Sequence, residues 1–123
     1  MKSTRPYLLR ALYDWILDSD CTPYIVVATD AERVEVPDGY AKDGRITLNV
    51  SPTSVRNWQV SDALVSFDGR FGGIAHRVAV PPGAVLAIYA RETGQGMAFE
   101  LETAFRSEPD QQPPGGPNLR VVK

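Results

Sequence analysis

A chain of 123 residues, 43% hydrophobic and 23% charged, has room for one core of ordinary size and none for a second independent domain. Its formal net charge of -2 argues against a partner gripped by bulk positive charge, such as nucleic acid or anionic lipid, because those partners require clustered Lys and Arg. The single cysteine, Cys21, excludes an intramolecular disulfide or a multi-thiolate zinc site and fits a reducing, cytoplasmic compartment. Gly and Pro, 10 of each, exceed the ordinary ~12% for the pair, and the excess needs a location.

The N-terminal stretch reads as a helix from Thr4 to Asp18. Ser3 or Thr4 is the N-cap, Pro6 stands in the first turn, and Asp20 to Pro23 form the stop. Arg10, Asp14 and Asp18 interrupt any apolar core of a signal peptide, and no segment approaches the ~18 apolar residues of a membrane span. At 100° per residue these three fall within an arc of roughly 80°, while the apolar side chains spread over roughly 240°. One core needs a stripe only a little over ~100° wide. Either the helix is sunk deep in its own domain, or it also packs against a second subunit.

Strand signals follow. Tyr24 to Val27 is short and rich in β-branched residues, and Arg33 to Val36 is a second short run closed by Pro37-Asp38-Gly39. Ile46, Leu48 and Val50 alternate with polar residues, as do Val65, Phe67, Gly69 and Phe71. His76 to Val80 ends at Pro81-Pro82-Gly83, Val85 to Arg91 comes next, and Met97 to Glu100 follows Gly94-Gln95-Gly96. Gly72-Gly73 reads as a hairpin turn rather than a phosphate-binding loop, since neither GxxxxGK[ST] nor GxGxxG is present. Five to seven short strands after one helix predict a mainly β fold, an antiparallel barrel or sandwich with the helix packed at one end or face.

Residues 108–117, EPDQQPPGGP, hold four Pro, two Gly and no large apolar side chain, so they read as a linker. The Gly and Pro excess lies here. Beyond it, Asn118-Leu119-Arg120-Val121-Val122-Lys123 sets three aliphatic residues among two cations. That segment reads either as a last edge strand or as a short recognition peptide.

Catalytic chemistry finds few candidates. His76 is the one histidine and lies inside a strand pattern, Cys21 has no second thiol, and Asp38 and Asp43 sit where turns favour Asp. No spacing suggests metal ligation, and no cofactor is implied. Subtraction leaves binding as the better class.

Several strings, in order, carry a family resemblance: RPYLLRALYDWILD at 5–18, TPYIVV at 22–27, YAKDGRITLNVSP at 40–52, FDGRFGGI at 67–74, VPPGAVLAIYARETGQGMAFE at 80–100 and GGPNLRVVK at 115–123. On these the chain resembles the stringent starvation protein B (SspB) family, bacterial dimeric adaptors that deliver ssrA-tagged polypeptides to the ClpXP protease. The resemblance implies an Sm-like antiparallel β-barrel preceded by a helix over residues 1–106, a flexible linker over 107–117 and a ClpX-docking segment over 118–123. It points to Leu8, Leu9, Leu12, Tyr13 and Ile16 for the homodimer contact, without deciding which arc of the helix faces the core. It points to Val50, Ser51, Ser54 and Val55 on one side, and Phe67, Gly69, Arg70 and Phe71 on the other, for a groove taking the tag as an extended peptide. There Arg70 suits an acidic side chain, while Phe67 and Phe71 are either groove walls or plain core. Leu119, Arg120, Val121, Val122 and Lys123 would dock on the N-terminal domain of ClpX. The linker, shorter and less acidic than in better-known members, and Pro52, Arg56 and Trp58 depart from the family pattern. An alternative from another class is an Sm-like RNA-binding protein, with Arg70, Arg77 and Arg91 on phosphates and Trp58 or Tyr89 stacking on bases.

Overall fold

The computed structural model describes residues 2–100 and opens on helix α1, Arg5–Asp18. Ser3 Oγ accepts the Arg5 N–H at 3.1 Å, and Pro6 lies in the first turn, where its missing N–H costs nothing. Asp20, at φ 60°, turns the chain so that the Cys21 N–H reaches back to the Ile16 carbonyl at 3.0 Å. Both ends of the helix agree with the expectation.

Seven strands follow among the described residues: β1 (Pro23–Ala28), β2 (Arg45–Asn49), β3 (Val55–Val60), β4 (Val65–Phe71), β5 (Ile74–Val80), β6 (Val85–Ala90) and β7 (Gly96–Ala98). They form two antiparallel sheets, ordered β2-β1-β6-β7 and β3-β4-β5. The fold is mainly β with one N-terminal helix, and the expected antiparallel barrel takes the form of two sheets whose described ladders do not close into a ring. Pro81 and Pro82, which lack the N–H that a ladder needs, separate β5 from β6 where the chain changes sheet.

Alternation explains which faces turn inward. In β2, Ile46 and Leu48 are buried while Arg45 and Thr47 are exposed, and in β4 Val65, Phe67 and Gly69 turn to the core. Leu9, Tyr13 and Ile16 of α1 join them in one cluster with Ile25, Val27, Val78, Val80 and Ile88. Two hairpins use the mirror-image turns that match strand twist: Asp43-Gly44, at φ 54° and 75°, and Gly72-Gly73, at φ 61° and 82°.

Two local expectations change. Arg33–Val36 forms no strand, because Arg33 stands at φ 65° and only Glu35 pairs, exchanging hydrogen bonds of 2.8 and 3.0 Å with Ala79. Strand β3 has no clear alternation in the sequence, because a bulge interrupts it. Between the pairs Arg56↔Asp68 and Gln59↔Ser66, β3 carries one residue more than β4, and Asn57 takes φ 58°. The extra residue returns Trp58 to the core side.

Candidate functional site

Helix α1 holds β3 and the turn before it at three points. The Tyr13 hydroxyl donates to the Val50 carbonyl at 2.9 Å, and Arg10 Nη1 donates to the Val60 carbonyl at 2.8 Å. Between these anchors Trp58 stacks on Tyr13 with ring centroids 4.5 Å apart and planes 15° apart. Burial, with the Asp14 charge as a smaller cause, pushes the Tyr13 phenol above its ordinary pKa, so it stays a donor. The turn is stapled by polar side chains: the Ser51 N–H donates to Asn49 Oδ1 at 3.0 Å, and the Ser51 hydroxyl bonds to those of Thr53 and Ser54 at 3.2 Å each. The Ser54 and Val55 N–H groups both return to the Ser51 carbonyl.

Against this frame lies a groove of about 560 Å³, lined by Pro52, Thr53, Ser54, Val55 and Arg56 on one side and by Asp68, Gly69, Arg70 and Ala75 on the other. Antiparallel register builds it, setting Val55 opposite Gly69, Arg56 opposite Asp68 and Arg70 opposite Ala75. Asp68 accepts from Asn57 Nδ2 at 2.7 Å and pairs with Arg77 at 3.5 Å. Arg70 Nη1 donates to the Gly73 carbonyl at 3.2 Å, while Arg56 and Arg70 are both exposed. A Cβ on Gly69 would stand 3.3 Å from the Phe71 ring, close enough to crowd it, and 3.7 Å from that of Phe67, an ordinary contact. The groove can therefore offer a small-residue floor beside β3, an edge strand of its sheet, with two guanidinium groups for an acidic ligand.

The predicted site residues divide. Ser54, Val55, Gly69 and Arg70 line the groove together. Val50 and Phe67 are fully buried core, and Ser51, 7% exposed, organises the turn. Phe71 is half-buried between Tyr40, at 5.2 Å, and His76, at 5.9 Å. Thr53, Asp68 and Ala75 also line the groove and went unnamed. Alternation in β4 already places Asp68 with Arg70, and a two-glycine hairpin already sets Ala75 opposite Arg70, so the signal was present.

On α1, Leu9, Tyr13 and Ile16 are buried within the protomer, which uses the inward arc of the helix. Tyr7, Ala11 and Trp15 are exposed, with Leu8 and Leu12 half-buried beside them. Arg10, which shares the polar arc of Asp14 and Asp18, bonds to β3. Of the residues considered for RNA, Arg77 faces Asp68, Arg91 lies 3.3 Å from Glu92, Trp58 is stacked on Tyr13, and Tyr89 packs 5.9 Å from Tyr24. Glu92 accepts from the Thr22 hydroxyl and N–H at 2.7 and 2.8 Å, which hold its carboxyl at a pKa of about 2. Among the described residues no group of three or more His, Cys, Asp or Glu is placed to hold a metal ion, and no helix is long and apolar enough to cross a membrane. Leu119 to Lys123, expected to dock, and residues 107–117, expected to be a linker, lie outside the described residues.

A family model described as stringent starvation protein B matches residues 3–123. A stringent starvation protein B homolog of Haemophilus influenzae is 46% identical over 115 residues, which covers 91% of this chain and 77% of that protein. Matched in this way over nearly its whole length, the chain belongs to the stringent starvation protein B family.

Proposed function

We propose that the chain is a non-enzymatic proteolysis adaptor that binds ssrA-tagged polypeptides in the groove between residues 52–56 and residues 68–70 and 75, and brings them to ClpXP by docking residues 119–123 on ClpX. One observation carries this reading: Ser54, Val55, Gly69 and Arg70, expected from the sequence to border a peptide site, line one open groove with an edge strand beside it. An extended peptide there gains main-chain hydrogen bonds along β3, while Arg56 and Arg70 select an acidic side chain. Residues 1–106 hold cargo, 107–117 tether, and 118–123 dock. A labelled ssrA peptide titrated with the protein is expected to give saturable anisotropy at micromolar concentration. Arg70→Ala is expected to weaken binding about tenfold, the loss of one charge-assisted contact. Absence of saturation in the unmodified protein would sink the reading.

The adaptor is further proposed to be a homodimer that uses the outward arc of α1. With Leu9, Tyr13 and Ile16 engaged inside the protomer, the contact falls to Leu8 and Leu12 together with the exposed Tyr7, Ala11 and Trp15. Light scattering should return twice 13.5 kDa for the unmodified chain and a lower mass for Trp15→Asp, which sets a charge in an apolar contact. A concentration-independent monomer refutes the dimer. The RNA-binding alternative loses ground because Trp58, Tyr89, Arg77 and Arg91, four of its five candidate contacts, already have partners within the protein.

A further inference from the structure

A second groove, of about 680 Å³, lies on the other sheet, β2-β1-β6-β7. Its floor is apolar, with Val26, Leu86, Ala87 and Phe99 each half-buried. The rim is charged, and it is mostly acidic: Asp30, Asp43 and Glu100 are exposed there, against the one cation Arg45. Such a surface suits an extended segment of aliphatic residues carrying positive charge.

We propose that this groove holds the chain's own residues 118–123, so that the docking segment is shielded part of the time. This rests on the adaptor reading only for its consequence, since the seating itself is a property of one chain. Three observations select the occupant. Leu119, Val121 and Val122 match the apolar floor, while Arg120 and Lys123, with no acidic residue between them, match the rim. Glu100, the last described residue, is itself part of the groove wall, so the chain to be seated sets out from the groove. The 17 intervening residues span roughly 23 Å as a flexible coil, which holds the segment at about millimolar effective concentration. A millimolar intrinsic affinity then suffices to seat about half of the segments at any moment.

The test compares amide NMR spectra of the full chain with those of two full-length variants, Arg120→Glu/Lys123→Glu and Asp30→Asn/Asp43→Asn. Asn keeps the left-handed backbone that Asp43 occupies at φ 54°. Seating predicts that the amides of Val26, Ala28, Ala87 and Ala98 differ between the unmodified chain and the charge-reversed one. It predicts that the amides of Arg120 and Lys123 move toward random-coil positions in the Asn variant, and that both effects fade with added salt. Superimposable groove amides overturn the proposal, and so do differences that grow with protein concentration, which would mean seating in a second copy. Docking on the ClpX N-terminal domain provides a separate arm: the Asn variant should bind about twofold more tightly, as the shielded half is released. If no chain docks on ClpX while the spectral differences persist, the seating stands and the adaptor reading fails.

Discussion

Removal of residues 119–123 is expected to abolish stimulation of ClpXP degradation while leaving ssrA-peptide affinity unchanged. The groove is built by residues 52–56, 68–70 and 75, and its frame by Tyr13, Arg10 and Trp58, none of which belongs to the deleted segment. In the proposed mechanism the deletion acts on effective concentration alone. A cargo bound in the groove and a ClpX bound by the segment meet as one assembly, and linkage of this kind is worth ~10²- to 10⁴-fold. Two measurements on the same protein separate the roles: peptide anisotropy, expected within about twofold of the full chain, and the degradation rate of an ssrA-tagged substrate, expected to fall to the adaptor-free level. Undiminished stimulation after the deletion would remove the docking role. Residues 107–117, as the proposed tether, would reach about 34 Å as polyproline II, so lengthening them with Gly-Ser repeats tests whether geometry limits delivery.

Arg5→Met is expected to cost on the order of 3 kcal/mol of folding stability, large against the marginal stability of a small domain. Only 6% of Arg5 is exposed. Its Nη1 donates to the Gly83 and Val85 carbonyls at 3.3 and 2.9 Å, and its Nη2 to the Glu100 carbonyl at 2.6 Å. The guanidinium also lies 4.4 Å from the centre of the Phe99 ring. Methionine keeps the apolar stem and removes every one of these bonds, so three carbonyls lose a charged donor, those of Gly83 and Val85 where water has poor access. Lysine keeps the charge without the planar fork that reaches several carbonyls at once, so Arg5→Lys is expected to fall between the two. Urea unfolding monitored by Trp fluorescence measures the loss, and a variant within about 0.5 kcal/mol of the parent would show that these contacts contribute little.

Arg5 also shows where sequence reasoning stops. It stands at the start of an amphipathic helix, where a cation is ordinarily solvated, and nothing local announces carbonyls from residues 83, 85 and 100. Long-range closure of the chain supplies them. The helix shows the same division. Its overwide apolar arc was legible by counting, yet only the packed core decides that Leu9, Tyr13 and Ile16 turn inward and that Tyr7 and Trp15 do not. In β4 the alternation was clear enough to put Phe67 and Gly69 on one face and Asp68 and Arg70 on the other. In β3 it was not, because Asn57 carries the extra residue of a bulge and shifts the period midway. Of the predicted groove residues, those that line it follow from register across two strands, whereas Val50 and Phe67 passed to the core because apolar surface is buried wherever packing allows.

By itself the sequence determined the helix and its ends, six of the seven strands among the described residues, the tight hairpin at Gly72-Gly73 and the family, because each of these is written in local periodicity, turn chemistry or contiguous strings. Tertiary structure alone decided which helical arc serves the core, that the strands divide into two sheets, and that residues 52–56, 68–70 and 75 form one groove. Those outcomes depend on which distant backbone groups find partners and which apolar faces meet. Neither is specified within any single segment.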